Sequence, residues 1–463
     1  MIAGLKPYPA MKDSGVEWLG AVPEHWELRR TKTILKQRSQ KGFPDEPLLA
    51  ATQTKGVVRK EQYENRTVLA LKDLHLLKLV CFGDFVISLR SFQGGIEYAH
   101  ERGIISPAYT ILYPNNPDIH DYLAYLFKSK PYVENLTLYV TGIRQGQNID
   151  YVKLSRSELP LPPLPEQTAI VRYLDYMDKR IRKYIRAKQK LIKLLEEQKQ
   201  AIIHRAVTRG LDPDVPLKPS GVEWLGDVPQ HWEVTRLKGS VANIVIYTNK
   251  CETDEIYIAL EHVESWTGKI RETKSDVSFD SQVKRFRSQD VLFGKLRPYL
   301  AKVTRPDRNG VCVGEFLVLR PCGNELLPGY LEQLIRSKPI IDAINASTFG
   351  AKMPRADWYF IGNMEQPIPP LPEQIAIIEY LKKATADIDT TIARGHREIE
   401  LLREYRTRLI ADVVTGKLDV REAAANLPDE SESIDRSGVF SDNAEETETV
   451  LDEVPEEVEE TLV

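Results

Sequence analysis

The sequence predicts an α+β chain of two tandem globular units, each followed by a long helix, with an acidic, disordered tail at the end. Three observations lead there. One set of motifs occurs twice in the same order; each copy opens with short strand-like runs broken by Gly and Pro; and each copy closes on a long stretch with a helical apolar seam. The expected segments are 1–159 (first globular domain), 160–212 (proline strut and long helix), 213–366 (second globular domain), 367–420 (second strut and helix) and 421–463 (acidic tail).

The duplication is read from residues. "SGVEWLG" at 14–20 recurs at 220–226, followed by "AVPEHWELRR" and "DVPQHWEVTR". "KSKPY" at 128–132 is echoed by "RSKPI" at 336–340, "PLPPLPEQ" at 160–167 by "PIPPLPEQ" at 367–374, and "VTRGLD" at 207–212 by "VVTGKLD" at 413–419. All offsets lie between 206 and 208. That period is too long for a solenoid and suits two complete domain-plus-connector units.

Within each globular part, "KLVCFGDFVISLR" (78–90), "AYTILYP" (108–114), "DVLFGKLRPYLAKV" (290–303) and "GVCVGEFLVLRP" (310–321) read as short strands between turns. "DYLAYLFKSK" (121–130) and "GYLEQLIRSK" (329–338) read as helices between them. The prolines at 160, 162, 163 and 165 hold the chain extended, because each fixes φ. Pro165 and Pro372 suit a first helical turn, and Glu166 and Glu373 are favourable against the helix dipole. A proline-rich ligand for an SH3-like partner is the competing reading of these motifs, and duplication in register favours architecture instead.

The helices that follow carry apolar residues three and four apart: Ile170, Leu174, Met177, Ile181, Ile185, Ile192, Leu195 and Ile202 in the first, Ile377, Leu381, Ile388, Ile392, Ile399, Leu402 and Leu409 in the second. Such a narrow seam is a coiled-coil pattern, and matched length and register favour the two helices packing on each other. Two separate helices in ordinary bundles are the plainer alternative. Gly395 alone interrupts the second helix. Residues 166–209 carry 12 Lys/Arg against 5 Asp/Glu, whereas 373–416 carry 7 against 8. The basic excess is either a solvated face or one turned toward a phosphate backbone.

Charge sharpens the picture. The chain has a net charge of −4, yet residues 429–463 hold 14 acidic residues and one basic residue, so the preceding body is net +9. A basic body suits a polyanionic partner, and the tail's composition suits disorder. No run of 18 apolar residues occurs, and "MIAGLKPYPAMKDSG" has no apolar core of a secretory signal, so no membrane role is expected and the cytoplasm is the expected location. Cys81, Cys251, Cys312 and Cys322 form no C-x-x-C pair and have no His at zinc spacing; they read as reduced thiols with packing roles, and no metal site is expected.

Catalytic patterns are missing. There is no G-x-x-x-x-G-K-[ST] phosphate loop, no G-x-S-x-G elbow, and no Asn/Asp-Pro-Pro-aromatic tetrapeptide of a DNA adenine methyltransferase; "NNPD" at 115–118 is the nearest approach. The Pro-Asp dipeptides lack a following Asp/Glu-x-Lys, so a nuclease core is not expected. His25 and His231, inside the repeated "HWE", read as packing groups, as do Trp18, Trp26, Trp224 and Trp232 or else as docking groups for a partner. No catalytic residue is expected.

The two copies of "SGVEWLG" with "VP-E/Q-HWE", the two of "PLPPLPEQ" entering a long helix, and "GKLRPYL" with "GEFLVLRP" resemble type I restriction-modification specificity subunits over about residues 10–420. The resemblance implies two target recognition domains, each reading one half of a bipartite site in double-stranded DNA, and two long helices packed as an antiparallel coiled-coil spacer with pseudo-twofold symmetry. It implies a non-catalytic subunit that directs two modification (methyltransferase) subunits and restriction (translocase-nuclease) subunits to DNA. S-adenosylmethionine, ATP and Mg are then expected on those partners and no cofactor in this chain. Unlike reader sequences, "RSFQGGIEYAHERGIISPAYTILYP" against "RPYLAKVTRPDRNGVCVGEFLVLRP", imply an asymmetric target. The candidate DNA-binding residues are Arg90, Gln93, Arg144, Gln145, Gln147 and Asn148 in the first domain, and Lys295, Arg297, Tyr299, Lys352 and Arg355 in the second. The acidic tail lies outside the resemblance. A coiled-coil scaffold that binds other proteins, without catalysis or DNA, is the alternative function.

Overall fold

The computed structural model describes residues 5–62, 73–142, 148–271, 282–348 and 353–428. The chain forms two compact units, one from Met1–Ala187 with Arg397–Val463 and one from Lys188–His396.

The first unit is built on a four-stranded antiparallel sheet in the order Leu35–Arg38, Thr110–Pro114, Phe85–Ile87, Glu97–Tyr98. Side chains alternate across its faces, as strand geometry requires. Phe85, Ile87 and Leu112 enter the main core with Tyr122, Leu123, Leu126 and Phe127 of helix His120–Lys128. Val86 and Ile111 enter a smaller cluster with Leu49, Val57, Val80 and Ile105 on the hairpin and strand pair beyond. Burial on both faces explains why these strands read as continuous apolar runs and not as alternating ones.

The second unit repeats the frame. Its sheet runs Val241–Asn243, Phe316–Pro321, Val291–Gly294, Val303–Thr304, again antiparallel. Phe293, Leu317 and Leu319 face a core with Tyr330, Leu331 and Leu334, while Leu292, Phe316 and Val318 face a cluster holding Ile258 and Cys312.

Each long helix is prepared by a two-stranded pair. Glu158–Leu161 pairs with Glu27–Arg30, and Glu365–Ile368 with Glu233–Arg236. The expected strut is therefore partly strand: Pro160 and Pro367 are aligned with Leu28 and Val234. A two-stranded ladder has only edges, where a proline's missing N–H is tolerated. The helices span Leu164–Arg209 and Leu371–Val414, with Pro165 and Pro372 in the first turn as expected.

Residues 164–187 of the first helix belong to the first unit, as do 397–414 of the second. There the Arg406 guanidinium meets Asp178, both buried, and Tyr122 Oη donates to both Pro160 O and Val414 O at 3.1 and 3.0 Å. The second unit has the counterpart: Lys199 Nζ contacts Asp389 at 2.5 Å, and Tyr330 Oη donates to Pro367 O and Val207 O at 3.2 and 2.9 Å. In both units, numbers rise on one helical segment as they fall on the other. Gly395 does not break its helix; a Cβ there would lie 3.1 Å from two carbons of Ile192, so the glycine admits that side chain.

Residues 421–428, assigned to the tail on charge, are instead ordered: Arg421–Ala425 is helical, Val420 and Ala424 join the first core, and Arg172 Nη2 donates to Leu427 O at 3.0 Å. Charge composition misses a docked turn that buries only small apolar groups. Residues 429–463 lie outside the described residues.

Candidate nucleic-acid interface

The repeated motifs converge on one carboxylate per unit. Glu166 accepts from Trp26 Nε1 at 2.8 Å, pairs with His25 Nε2 at 2.7 Å and accepts from Tyr8 Oη. Glu373 accepts from Trp232 Nε1 at 2.9 Å and pairs with His231 Nε2 at 2.6 Å. The next residue ties the helix start to the strut, with Gln167 Nε2 on Pro162 O and Gln374 Nε2 on Pro369 O, at 2.7 and 2.8 Å. The "HWE" and "PEQ" motifs are thus halves of one joint. Trp26 and Trp232 are fully buried, and Trp18 and Trp224 pack against the cores, in accord with packing roles. The sequence pattern shows both motifs repeated but not that they meet.

On this frame the second unit gathers four of its five candidate residues. Strand Val291–Gly294 runs into Lys295, whose N donates to Glu315 O and whose carbonyl accepts from Ala356 N, at 2.8 and 2.9 Å. Leu296 bridges Arg355, and Arg297 N donates to Pro354 O at 2.9 Å. Arg297 and Tyr299 are exposed, and Arg297 sits at φ +50°, a left-handed conformation that a β-carbon disfavours. Arg355 Nη2 meets Glu315 Oε1 at 3.1 Å, so this cation is held by an acid at the surface it would present. Lys352 lies outside the described residues.

In the first unit Arg90 and Gln93 are both exposed on the short helix Ser91–Gly94 and its N-cap, just after strand Phe85–Ile87. That helix lies beside Asn148–Ile149, so Asn148 joins Arg90 and Gln93 on one side of the domain. Its Oδ1 already accepts from Ile149 N at 2.8 Å, leaving the amide NH2 as the group to offer. Arg144, Gln145 and Gln147 lie outside the described residues. Gln53, on the turn between Leu49–Thr52 and Gly56–Arg59, was not among the candidates; it is exposed and its Nε2 reaches Arg90 O at 3.5 Å. No local signal marks it, because it meets Arg90 only across the fold.

Two acids of the first unit are buried. Asp84 receives Arg38 through two hydrogen bonds at 2.7 and 3.1 Å, and burial pushes its carboxyl upward. Glu97, 1 % exposed, is pushed up to about 7 by burial, against the lowering effect of Lys128 at 2.6 Å. Burial pushes the Cys312 thiol up to about 12, in line with an unreactive packing role. Among the described residues no cluster of His, Cys, Asp and Glu is arranged to hold a metal ion, and no helix is long and apolar enough to cross a membrane.

Comparison with known proteins places this geometry. Residues 23–194 match the model of the type I restriction modification DNA specificity domain. The type I restriction enzyme EcoDI specificity subunit of Escherichia coli is 22% identical over 313 residues, 62% of this chain and 69% of that protein. The putative type I restriction enzyme MjaX specificity subunit of Methanocaldococcus jannaschii is 24% identical over 435 residues, 87% of this chain and 96% of that one. A chain in a solved structure on complex assembly and conformational transition of the type I R-M system superposes with a TM-score of 0.58 at 16% identity, covering 85% of this chain and 98% of its own, and so shares its fold. Residues 23–194 are therefore similar to the type I restriction modification DNA specificity domain, and the chain at large is similar to type I specificity subunits.

Proposed function

We propose that this chain is the non-catalytic specificity subunit of a type I restriction-modification complex, reading an asymmetric, bipartite target in double-stranded DNA. The observation that carries the reading is one sheet frame used twice, with different residues on the same strand exit: exposed Arg90 and Gln93 in one unit, half-buried Lys295 with exposed Arg297 and Tyr299 in the other. Arg and Lys suit guanine edges and phosphates, and Gln and Asn suit adenine, so unlike sets favour unlike half-sites. The long helices act as an antiparallel coiled-coil spacer with pseudo-twofold symmetry. The pairs Asp178–Arg406 and Lys199–Asp389 support that reading, as does the match of Tyr122 by Tyr330.

Two modification subunits and the restriction subunits assemble on the repeated frame and bring S-adenosylmethionine, ATP and Mg chemistry; this chain supplies address and geometry. The test is methyl-adenine mapping by long-read sequencing in a host carrying the chain and its methyltransferase, with and without the chain. A bipartite, asymmetric motif that disappears on deletion is expected. Unchanged methylation would move the protein-binding scaffold to the front, and that scaffold would lack the steep salt dependence of phosphate binding.

A further inference from the structure

The "KSKPY" and "RSKPI" motifs begin with a cation at 128 and 336, and each cation is buried at the end of a helix, its side chain 7% and 8% exposed. Lys128 Nζ donates to Gly94 O at 2.8 Å and Gln53 O at 3.1 Å, and pairs with Glu97 Oε2 at 2.6 Å. It thereby joins the two segments that present Gln53, Arg90 and Gln93. Arg336 Nη1 donates to Thr267 O at 2.6 Å and Val303 O at 3.4 Å, and pairs with Glu332 at 3.3 Å. Val303 N in turn donates to Ala301 O at 2.9 Å, at the end of the segment that presents Lys295, Arg297 and Tyr299.

Glycines fit each cation into place. Gly95 has φ +86°, and a Cβ on it would lie 2.3 Å from Phe127 O and 3.1 Å from Lys128 Cδ. Gly268 has φ +70°, and a Cβ on it would lie 2.2 Å from Val303 O and 2.3 Å from Arg336 Nη1. The backbone approaches so closely that only glycine is accommodated.

We infer that Lys128 and Arg336 are positioning residues, each a clamp by which the repeated frame sets the orientation of its own reading segment, 88–95 or 295–301. The cations do not face DNA; they act through main-chain carbonyls on the residues that do. A buried cation on two carbonyls from separate segments fixes both, because releasing either leaves charge and carbonyl unpaired in a water-poor site. The clamp's consequence for specificity rests on the DNA reading proposed above.

The experiment uses the full chain in two arms. Amide hydrogen exchange is measured for wild type, for Lys128→Met with Glu97→Gln (both charges removed together), and for Arg336→Met with Glu332→Gln. Exchange in 88–95 rises about tenfold in the first variant with 295–301 unchanged, and the converse holds in the second. Gly94→Ala, which forces a Cβ to 2.9 Å from Gln53 Cγ without touching the ion pair, accelerates exchange in 88–95 as well. It decides the question if the double variant does not fold. Lys128→Arg retains protection. Unchanged exchange in the matching segment, or equal acceleration in both units, overturns the clamp.

In the second arm, binding with the modification subunits is measured on duplexes substituted at one base of either half-site. The first double variant loses about tenfold discrimination in one half-site only. Retained discrimination at both half-sites overturns the positioning role. A wild-type complex with no half-site preference overturns the DNA reading instead, and the exchange arm still decides the clamp.

Discussion

The first and second units share a frame and differ in how they brace it. In each, an aspartate just before the third strand of the sheet, Phe85–Ile87 or Val291–Gly294, caps its own turn, with Cys81 N on Asp84 and Arg287 N on Asp290, at 2.8 and 2.7 Å. Each aspartate also receives an arginine through two hydrogen bonds. In the first unit the arginine is Arg38, from the edge strand Leu35–Arg38; in the second it is Arg320, from the neighbouring strand Phe316–Pro321. The acid is kept in place and its partner is not. Any strand whose side chain reaches the carboxylate satisfies the same buried group, so duplication preserves the need and lets the supply drift.

The turns that follow show the same pattern. Gly95 ends the first unit's strand-exit turn at φ +86°, while Ala301 ends the second's at φ +46° and is fully buried. A left-handed alanine costs about 1 kcal/mol relative to glycine, and here the packed position holds it.

The two units are most vulnerable at the joints they share. Trp26→Ala and Trp232→Ala each remove a fully buried indole and one of the hydrogen bonds to a helix-start glutamate, so each is expected to cost about 3–5 kcal/mol. Denaturant unfolding with probes in each unit checks whether the damage stays in the unit that carries the change. Equal losses show that the two joints are equivalent in energy as well as in geometry.

The helix ends give a smaller and unequal effect. Gly416 has φ +76°, and a Cβ on it would lie 2.3 Å from Pro23 Cδ and 3.0 Å from Trp26; Gly210 has φ +73°, and a Cβ on it would lie 3.2 Å from Trp232. Both alanine variants carry the left-handed penalty of about 1 kcal/mol. Gly416→Ala adds a clash with a rigid ring and is expected to lose about 1–2 kcal/mol more than Gly210→Ala, read as a difference in thermal midpoint.

The smallest effect sharpens a chemical difference. Glu97 lies on the first unit's fourth strand, whereas Val303–Thr304 in the second carries no carboxylate. The folded Glu97 carboxyl is raised from its ordinary 4.5 to about 7, so the folded state holds the proton longer than the unfolded chain does. The stability it contributes is full below the ordinary value and is lost as pH rises through 7. Raising pH from 5 to 8 is expected to cost the first unit on the order of 1–3 kcal/mol. Glu97→Gln abolishes that slope, and the second unit shows none from this source.

Much of this was legible without coordinates. The duplication, the strand runs at 78–90 and 310–321, the helix starts at Pro165 and Pro372, and the packing role of the tryptophans all follow from motif spacing and local stereochemistry. These depend on neighbours within a few residues, where periodicity and fixed φ suffice. The placement of residues 90–93 and 295–299 at strand exits was also legible, because strands and turns announce themselves. The tail boundary, the strand character of Pro160 and Pro367, and the place of Gln53 were not.

Motif spacing and periodicity alone establish one design that occurs twice, with long helices and unlike strand-exit segments. Packing across the fold is what brings Glu166 to His25 and Trp26, lets Gly395 admit Ile192, holds Arg355 on Glu315, and seats Lys128 and Arg336 on main-chain carbonyls of separate segments. The reason is separation along the chain. Glu166 lies 140 residues from Trp26 and Asp178 lies 228 from Arg406. No local pattern encodes which donor meets which carboxylate; the packed cores bring the segments together, and at Glu166 and Asp178 burial then makes the pairing obligatory.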